Sequence, residues 1–185
     1  MIGVLPETLD ISGRSYGINA DFRNVLRIFD AFQDAALTDA EKAYICVQRL
    51  YTDSVPAVQY VEAVERAYWF CGGGDIPKSE PEPFKMLDWT HDEQIMIPAV
   101  SRAAGVPDIR ALPFLHWWTF LGLFGEIGEG LFSTVLHIRQ KLGRGEKLEK
   151  WEQKYLKHNK ELIRLRTADE QAAIAETEAF LKTIT

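Results

Sequence analysis

The sequence L-H-W-W-T-F at residues 115–120 lies in the longest apolar run of the chain, which extends from Pro113 to Phe124. Adjacent residues on a helix point about 100° apart, so the indoles of Trp117 and Trp118 cannot share one narrow stripe. A helix with apolar side chains around much of its circumference is either the centre of a core or a surface kept for an apolar partner. The run therefore predicts an aromatic helix about which the fold is organised.

Both interpretations of this helix stay open. An aromatic-rich helix usually belongs to the core, but a small helical domain buries only part of its aromatic surface. We expect one edge of the helix to stay exposed for an apolar partner, with only one of the two tryptophans partly exposed. The candidate partner-binding residues are Trp117, Trp118, Phe120 and Phe124.

The composition is that of an ordinary globular protein. The chain has 185 residues, of which 46% are hydrophobic and 26% are charged, and this balance argues against wholesale disorder. One domain is the default at this length, although two small ones would also fit. The formal net charge of -6 gives no electrostatic reason to bind nucleic acid or an anionic membrane, so we expect neither as a partner.

Two features of the sequence indicate the cellular compartment, namely the cysteines and the length of the apolar runs. Cys46 and Cys71 each lie in an apolar helical context, which predicts two reduced, buried thiols unless their helices pack closely enough for a disulfide. No apolar stretch reaches the roughly 18 residues that a membrane-spanning helix needs. The N-terminus also lacks the features of a signal peptide. We therefore expect a soluble, cytoplasmic protein.

The predicted fold class is mainly α, a helical domain with a small N-terminal β-hairpin. Residues 1–71 are expected to hold the hairpin and the first helices, and residues 72–84 a flexible linker loop with three glycines and three prolines. Residues 85–166 are expected to form a helical part that includes the tryptophan helix, and residues 167–185 a C-terminal helix.

Turn and capping residues predict where the hairpin and the first three helices begin. Two short alternating runs flank Ser12-Gly13, as in a hairpin. Asp21 is a candidate N-cap for the first helix, and Thr38 with Glu41 has the spacing of a capping box before the second. Pro56 suits the first turn of the third helix. The apolar residues of that helix are Val58, Val61, Val64 and Tyr68.

Similar signals place the later helices. Thr90 and Glu93 repeat the capping-box spacing, and Pro98 is expected to kink or interrupt the helix that follows. Pro113 is expected to open the tryptophan helix. Further helices are predicted from Leu131 to Leu142, from Leu148 to Leu165 as one long amphipathic helix, and after a cap formed by Thr167 and Glu170.

No constellation of residues predicts catalysis, a metal or a cofactor. The run from Asp88 to Glu93 contains three carboxylates and His91, but acidic residues are favoured at a helix N-terminus by the helix dipole alone. His116 lies among aromatic residues, where a hydrogen-bonded core histidine is more common than a catalytic one. Between 139 and 166, ten basic residues alternate with four acidic ones. Mixed signs favour a solvated helix face over a nucleic-acid patch.

Five segments in order carry a resemblance to a known family. They are I-N-A-D-F-R at 18–23, A-Y-W-F-C-G-G-G at 67–74, L-D-W-T-H-D at 87–92, L-H-W-W-T-F at 115–120 and F-S-T-V-L-H-I-R at 132–139. In this order and at these distances the chain resembles the bacteriophage gene-product-fifteen family of tail-module proteins, from about Leu5 to Leu165. Pro98 departs from the uninterrupted helix expected in that family, and residues after Thr167 match nothing in it.

The resemblance implies a tail assembly chaperone without enzyme activity. Such a protein would coat the long, apolar tape-measure protein, which would otherwise aggregate before the tail tube forms around it. The partners implied are the tape-measure protein and other copies of the chaperone itself. The edges of the N-terminal hairpin are candidates for linking those copies. The implied location is the cytoplasm of the infected or lysogenic host, with the protein absent from the mature virion. The alternative is a structural component of the tail, which would be present in purified particles.

Overall fold

A computed structural model of the protein describes residues 3–75 and 83–165. Within them, the chain is mainly helical with one antiparallel hairpin at its N-terminal end, so the predicted fold class is confirmed. The strands are β1 (Thr8–Ile11) and β2 (Arg14–Gly17). The helices are α1 (Phe22–Gln33), α2 (Asp39–Leu50), α3 (Tyr60–Cys71), α4 (Glu93–Ala103), α5 (Trp117–Gly125), α6 (Leu131–Gly143), α7 (Lys150–His158) and α8 (Lys160–Ile163).

The main core lies between the hairpin and α1 to α6. It contains the buried faces of the hairpin, of α1 and of α3, together with the inner side of the aromatic helix α5. A second, smaller cluster joins α6 to the end of the described chain through Ile138, Leu148 and Ile163. None of the helices within residues 3–75 and 83–165 is both long and apolar enough to cross a membrane.

The hairpin forms as predicted, and other segments cover its outer edges. Ser12 and Gly13 both have positive φ, 50° and 78°, as a two-residue hairpin turn requires. Beside β2, the backbone N–H of Thr52 donates to the carbonyl of Gly17 at 3.0 Å. Beside β1, Nε of Arg66 donates to the carbonyl of Asp10 at 3.2 Å. These contacts leave little open edge to which a second copy of the chain could add a strand.

The first two helices begin at their predicted caps. The side chain of Asp21 accepts a hydrogen bond from the backbone N–H of Arg23 at the start of α1. Thr38 and Glu41 form the capping box of α2, with the Thr38 hydroxyl accepting from the Glu41 N–H and the Glu41 carboxylate accepting from the Thr38 N–H. Both helices therefore begin at side-chain caps that the local sequence indicates.

The third helix presents a different face from the one its apolar residues suggest. Its buried residues are Ala63, Ala67, Phe70 and Cys71. Val61, by contrast, is 74% exposed. The predicted start at Pro56 is also wrong: residues 57–59 form a separate 3₁₀ turn, in which Val58 is 94% exposed, and α3 begins only at Tyr60. Small residues let α3 approach its neighbours closely, and that packing overrides the simple apolar pattern.

Three predicted helix boundaries or breaks are wrong. The hydroxyl of Thr90 donates to Oδ1 of Asp30 at 2.7 Å instead of capping α4, and α4 begins at Glu93 without a side-chain cap. Pro98 does not interrupt α4, which continues to Ala103. Pro98 has no N–H to donate to the carbonyl of Gln94, and both residues lie on the exposed side of the helix. The aromatic helix begins at Trp117 and not at Pro113.

The predicted long helix from Leu148 to Leu165 is two short ones. α7 ends at His158, and α8 runs only from Lys160 to Ile163. The amide of Asn159 donates to the carbonyl of Tyr155 at 3.0 Å, a local side-chain bond that competes with continued helix. Residues 76–82 of the predicted linker and the predicted helix at 167–185 lie outside the described residues.

Both cysteines are buried and neither is in a disulfide. They lie on α2 and α3, which pack against each other. A hydrogen bond with the Cys46 thiol and burial together raise the pKa of Cys71 well above its usual value. The expectation of two buried, unlinked thiols is confirmed.

Candidate functional site

The two neighbouring tryptophans cap the C-terminal end of α3. Nε1 of Trp117 donates to the carbonyl of Cys71 at 2.8 Å, and Nε1 of Trp118 donates to the carbonyl of Phe70 at 2.9 Å. These carbonyls lie in the last turn of α3, where a helix has no internal donors left. Because adjacent residues of α5 point about 100° apart, the two indoles reach two successive carbonyls. The pair therefore has a structural role that its composition alone did not show.

His116 holds the start of the same helix. Its Nδ1 accepts the backbone N–H of Trp118 at 3.0 Å, and its Nε2 lies 3.0 Å from the carbonyl of Pro6. Since Nδ1 accepts, Nε2 carries the proton and donates to Pro6. His116 is buried, and both its ring nitrogens are used in this bonding. It is the hydrogen-bonded core histidine that the sequence led us to expect.

The four candidate partner-binding residues fall into two groups. Trp117 and Phe120 are fully buried, whereas Trp118 and Phe124 are partly exposed. One of the two tryptophans is therefore core and the other partly exposed, as predicted. The accessible atoms of this candidate site belong to Trp118 and Phe124, and a role in partner binding stays a prediction.

A groove of about 390 Å³ separates α1 from α4 and from the turn that precedes α4. Its apolar lining consists of Phe22, Met96 and Ile97, which are buried, and of Leu26 and Trp89, which are partly exposed. This volume is within the range of about 300–1,000 Å³ that is usual for binding pockets.

The aromatic residues of α5 support this groove from behind. Phe22 stacks on Phe120 with ring centroids 5.2 Å apart. Trp89 packs against Phe124 at 5.7 Å and against Trp117 at 6.5 Å. Three of the four candidate residues thus form a second layer beneath the groove, so the helix identified from sequence shapes the surface without providing most of it.

Polar contacts close the two ends of the groove. At one end, the Thr90 hydroxyl bonds Asp30 across the gap. At the other end, the guanidinium of Arg23 donates to the carbonyls of Arg110, at 3.0 Å, and Leu112. These bonds join α1 to the segments on the far side of the groove, which makes it a preformed feature of the fold.

Charged side chains surround the apolar lining. Arg110 pairs with Asp108 at 2.8 Å and lies 3.6 Å from Glu93. Arg27 lines the groove and makes no ion pair within the described part of the chain. An apolar floor with a mixed charged rim suits an amphipathic peptide segment, whose apolar side chains enter the groove while its polar ones face the rim.

The groove has no counterpart in any single stretch of the sequence. Its residues come from three separated segments, 22–30, 89–97 and Arg110, and only the fold brings them together. One signal was present, since α1 has Leu26 beside its buried stripe, and an apolar residue at that angle is left partly exposed.

The acidic run from Asp88 to Glu93 is tied into ion pairs and backbone bonds. Asp88 pairs with Lys85 at 2.8 Å and also accepts the N–H of His91. Asp92 pairs with Arg139 at 2.6 Å, with both side chains buried. Across residues 3–75 and 83–165, no three His, Cys, Asp or Glu side chains converge as a metal site would require.

Another buried carboxylate, that of Glu152, joins α6 to α7. Glu152 accepts from Nζ of Lys141 at 2.7 Å, from the N–H of Glu149 at 2.6 Å and lies 3.0 Å from Nε2 of His137. The hydrogen bond from Lys141 is the main reason that the pKa of Glu152 is lowered. This arrangement holds a helix in place, since each of the carboxylate's partners belongs to α6 or to the start of α7.

The structure thus defines a mainly helical protein with an N-terminal hairpin and a preformed apolar groove. A family model described as Bacteriophage Gp15 protein matches residues 1–165. The match covers most of the chain, and the chain belongs to this family of phage proteins. No curated protein and no solved structure gives a significant match to the chain. The family match stops where the sequence resemblance also stopped, just before Thr167.

Proposed function

We propose that the protein is a tail assembly chaperone that binds the tape-measure protein and keeps it soluble while the tail tube forms. The proposal is supported by membership of a phage protein family and by the resemblance of that family to such chaperones. The single structural observation that carries it is the apolar groove between α1 and α4. A tape-measure protein is long and largely helical, and such a groove accepts the apolar face of a helix.

The character of the groove favours reversible binding. Its lining offers only a few apolar side chains, and its rim is polar and open to water. A chaperone has to release its client when the tube assembles, so a modest contact repeated along a long client suits that task better than one large interface.

The proposal includes no enzyme activity, cofactor, nucleic acid or membrane. Its setting is the cytoplasm of the infected or lysogenic host, and the protein would not remain in the finished virion. Within the groove, three of the charged side chains, Arg23, Arg110 and Glu93, already form ion pairs. Binding through shape and apolar contact therefore accounts for the groove without assigning any of its residues a chemical step.

The direct test is co-expression with the tape-measure protein of the same phage genome. We expect the tape-measure protein to stay in the soluble fraction and to co-elute with the chain, with light scattering giving the stoichiometry. An equally long helical protein from an unrelated phage serves as the control. If the tape-measure protein is insoluble and the chain elutes alone, the chaperone proposal is refuted. Mass spectrometry of purified tails would then test the alternative, a structural tail component, which predicts a fixed copy number per particle.

A further inference from the structure

The outer face of α3 and the 3₁₀ turn before it carry exposed apolar side chains, of which only Tyr68 has an aromatic contact within the described part of the chain, with Phe32 at 5.4 Å. Val58 is 94% exposed, Val61 74% and Tyr68 41%. Val61, Glu65 and Tyr68 follow one another at i, i+4 and i+7, which places them on one face of the helix. Val58 precedes them by one turn. A row of exposed apolar residues with a carboxylate in its middle indicates a contact surface rather than isolated surface residues.

The outer face of α7 has a similar pattern with the opposite charge. Trp151 is 51% exposed. Lys154 and His158 follow it at i+3 and i+7, and both are exposed. Lys150 lies beside Trp151 at the start of the helix, while Glu152 points inward to α6. Nε1 of Trp151 donates to the Glu149 carboxylate at 2.9 Å, and the other charged side chains of this exposed face are basic.

Acidic and basic residues are also concentrated in different parts of the chain. Ten basic and nineteen acidic residues precede position 139, whereas ten basic and four acidic residues lie between 139 and 166. A uniform charge of -6 would make copies of the chain repel one another. The separation of the two signs instead lets the basic segment of one copy approach the acidic body of another.

These two faces belong to different parts of the molecule. α3 packs against β1 and α2, whereas α7 packs against α8 and, through Glu152, against α6. The hairpin edges, which the sequence suggested for self-association, are covered by Thr52 and Arg66. Contact between copies is therefore better served by the two exposed helix faces.

We propose that the α7 face of one copy binds the α3 face of the next, with Trp151 against Val58 and Val61 and with Lys154 opposite Glu65. Pairing α7 with α7 would place lysines opposite lysines, and pairing α3 with α3 would place carboxylates together, so only the mixed pairing is favourable. Each copy then has one face of each kind, and the contact continues from copy to copy as a ring or an open filament. This inference concerns the chain alone and does not depend on its client.

Charge reversal gives a test that distinguishes this pairing from any other. Sedimentation velocity of the full chain over a range of concentrations measures the association. We expect the wild type to form multimers, and either Glu65→Lys or Lys154→Glu to weaken association by about tenfold or more. The double variant that carries both changes restores it, because opposite charges face each other again in every contact. Glu126→Lys, on an exposed site after α5, is the matched control and leaves association unchanged.

Several results would overturn the proposal. One is a wild type that stays monomeric at every concentration; another is a multimer that neither reversal affects. Failure of the double variant to recover, with circular dichroism showing both single variants folded, would also reject it. The proposal is also rejected if the wild-type chain is monomeric and Glu65→Lys only weakens binding of the tape-measure protein. The α3 face would then be a binding surface for the client and not a contact between copies. Since the measurement uses the chain alone, its outcome is independent of the co-expression test.

Discussion

Arg139 and Asp92 form a bidentate ion pair inside the protein, with Nη1 2.6 Å from Oδ2 and Nη2 2.8 Å from Oδ1. The same guanidinium donates to the carbonyls of Met86, Leu162 and Ile163. One side chain on α6 therefore holds the start of α4, the segment before it and the end of the described chain. Asp92 directly precedes Glu93 of the groove, so this pair also fixes one wall of the proposed client site.

Replacing Arg139 tests how much this pair stabilises the fold. We expect Arg139→Met to lower the free energy of unfolding by about 3–5 kcal/mol, because it leaves the Asp92 carboxylate buried without its partner. The double variant Arg139→Met with Asp92→Leu should recover part of that loss, since both charges are then gone. Urea unfolding followed by circular dichroism measures both. A loss below about 1 kcal/mol in the single variant would show that water or another cation replaces the guanidinium.

The two tryptophans differ in burial, so their truncations should differ as well. Trp117→Ala removes a fully buried side chain and its bond to Cys71, and we expect a loss of about 3–5 kcal/mol in unfolding free energy. Trp118→Ala should cost distinctly less, because its indole is partly exposed and the Phe70 carbonyl keeps a second donor, the N–H of Gly73. Equal losses in urea unfolding would contradict this assignment of one core and one edge residue.

The sequence predicted those parts of the fold that depend on neighbouring residues. The turn at Ser12-Gly13 and the caps at Asp21 and Thr38 are local devices, in which a side chain bonds backbone groups two or three residues away. Such devices depend on residues that are close together in the sequence. For this reason the hairpin and the first two helices begin where the residues indicate.

The predictions failed where a tertiary partner competes with a local one. Thr90 has the spacing of a capping residue, yet its hydroxyl bonds Asp30 on α1. The backbone before Trp117 pairs with the start of α1, with the Phe22 N–H donating to Leu115 at 2.9 Å, and this keeps Pro113 out of the aromatic helix. No pattern within one segment shows such contacts. The groove was missed for the same reason, since three distant segments form it.

Glu152 should make the docking of α7 sensitive to acid. Its pKa is lowered in the folded protein, chiefly by the hydrogen bond from Lys141, so the charged form stabilises the fold. That contribution is fully present above the unfolded pKa of about 4.3 and is lost as the pH falls through the lower, folded pKa. We expect the difference in unfolding free energy between wild type and Glu152→Gln to shrink as the pH falls below about 4.3. A difference that is independent of pH would assign the effect to packing.

Leu26 offers the sharpest test of the groove as the client site. It lines the groove and is only partly buried, so Leu26→Glu should leave the fold intact while placing a charge on the apolar floor. We expect this change to weaken binding of the tape-measure protein by about tenfold or more, as for a central contact residue. Gln48→Glu, on the exposed side of α2, adds the same charge away from the groove and should have no effect.

Binding is measured as the amount of soluble tape-measure protein on co-expression. The melting temperature of each variant shows whether its fold is intact. If Leu26→Glu binds normally while Trp118→Ala or Phe124→Ala does not, the client binds at the edge of the aromatic helix, as the sequence first suggested, and the groove has another role.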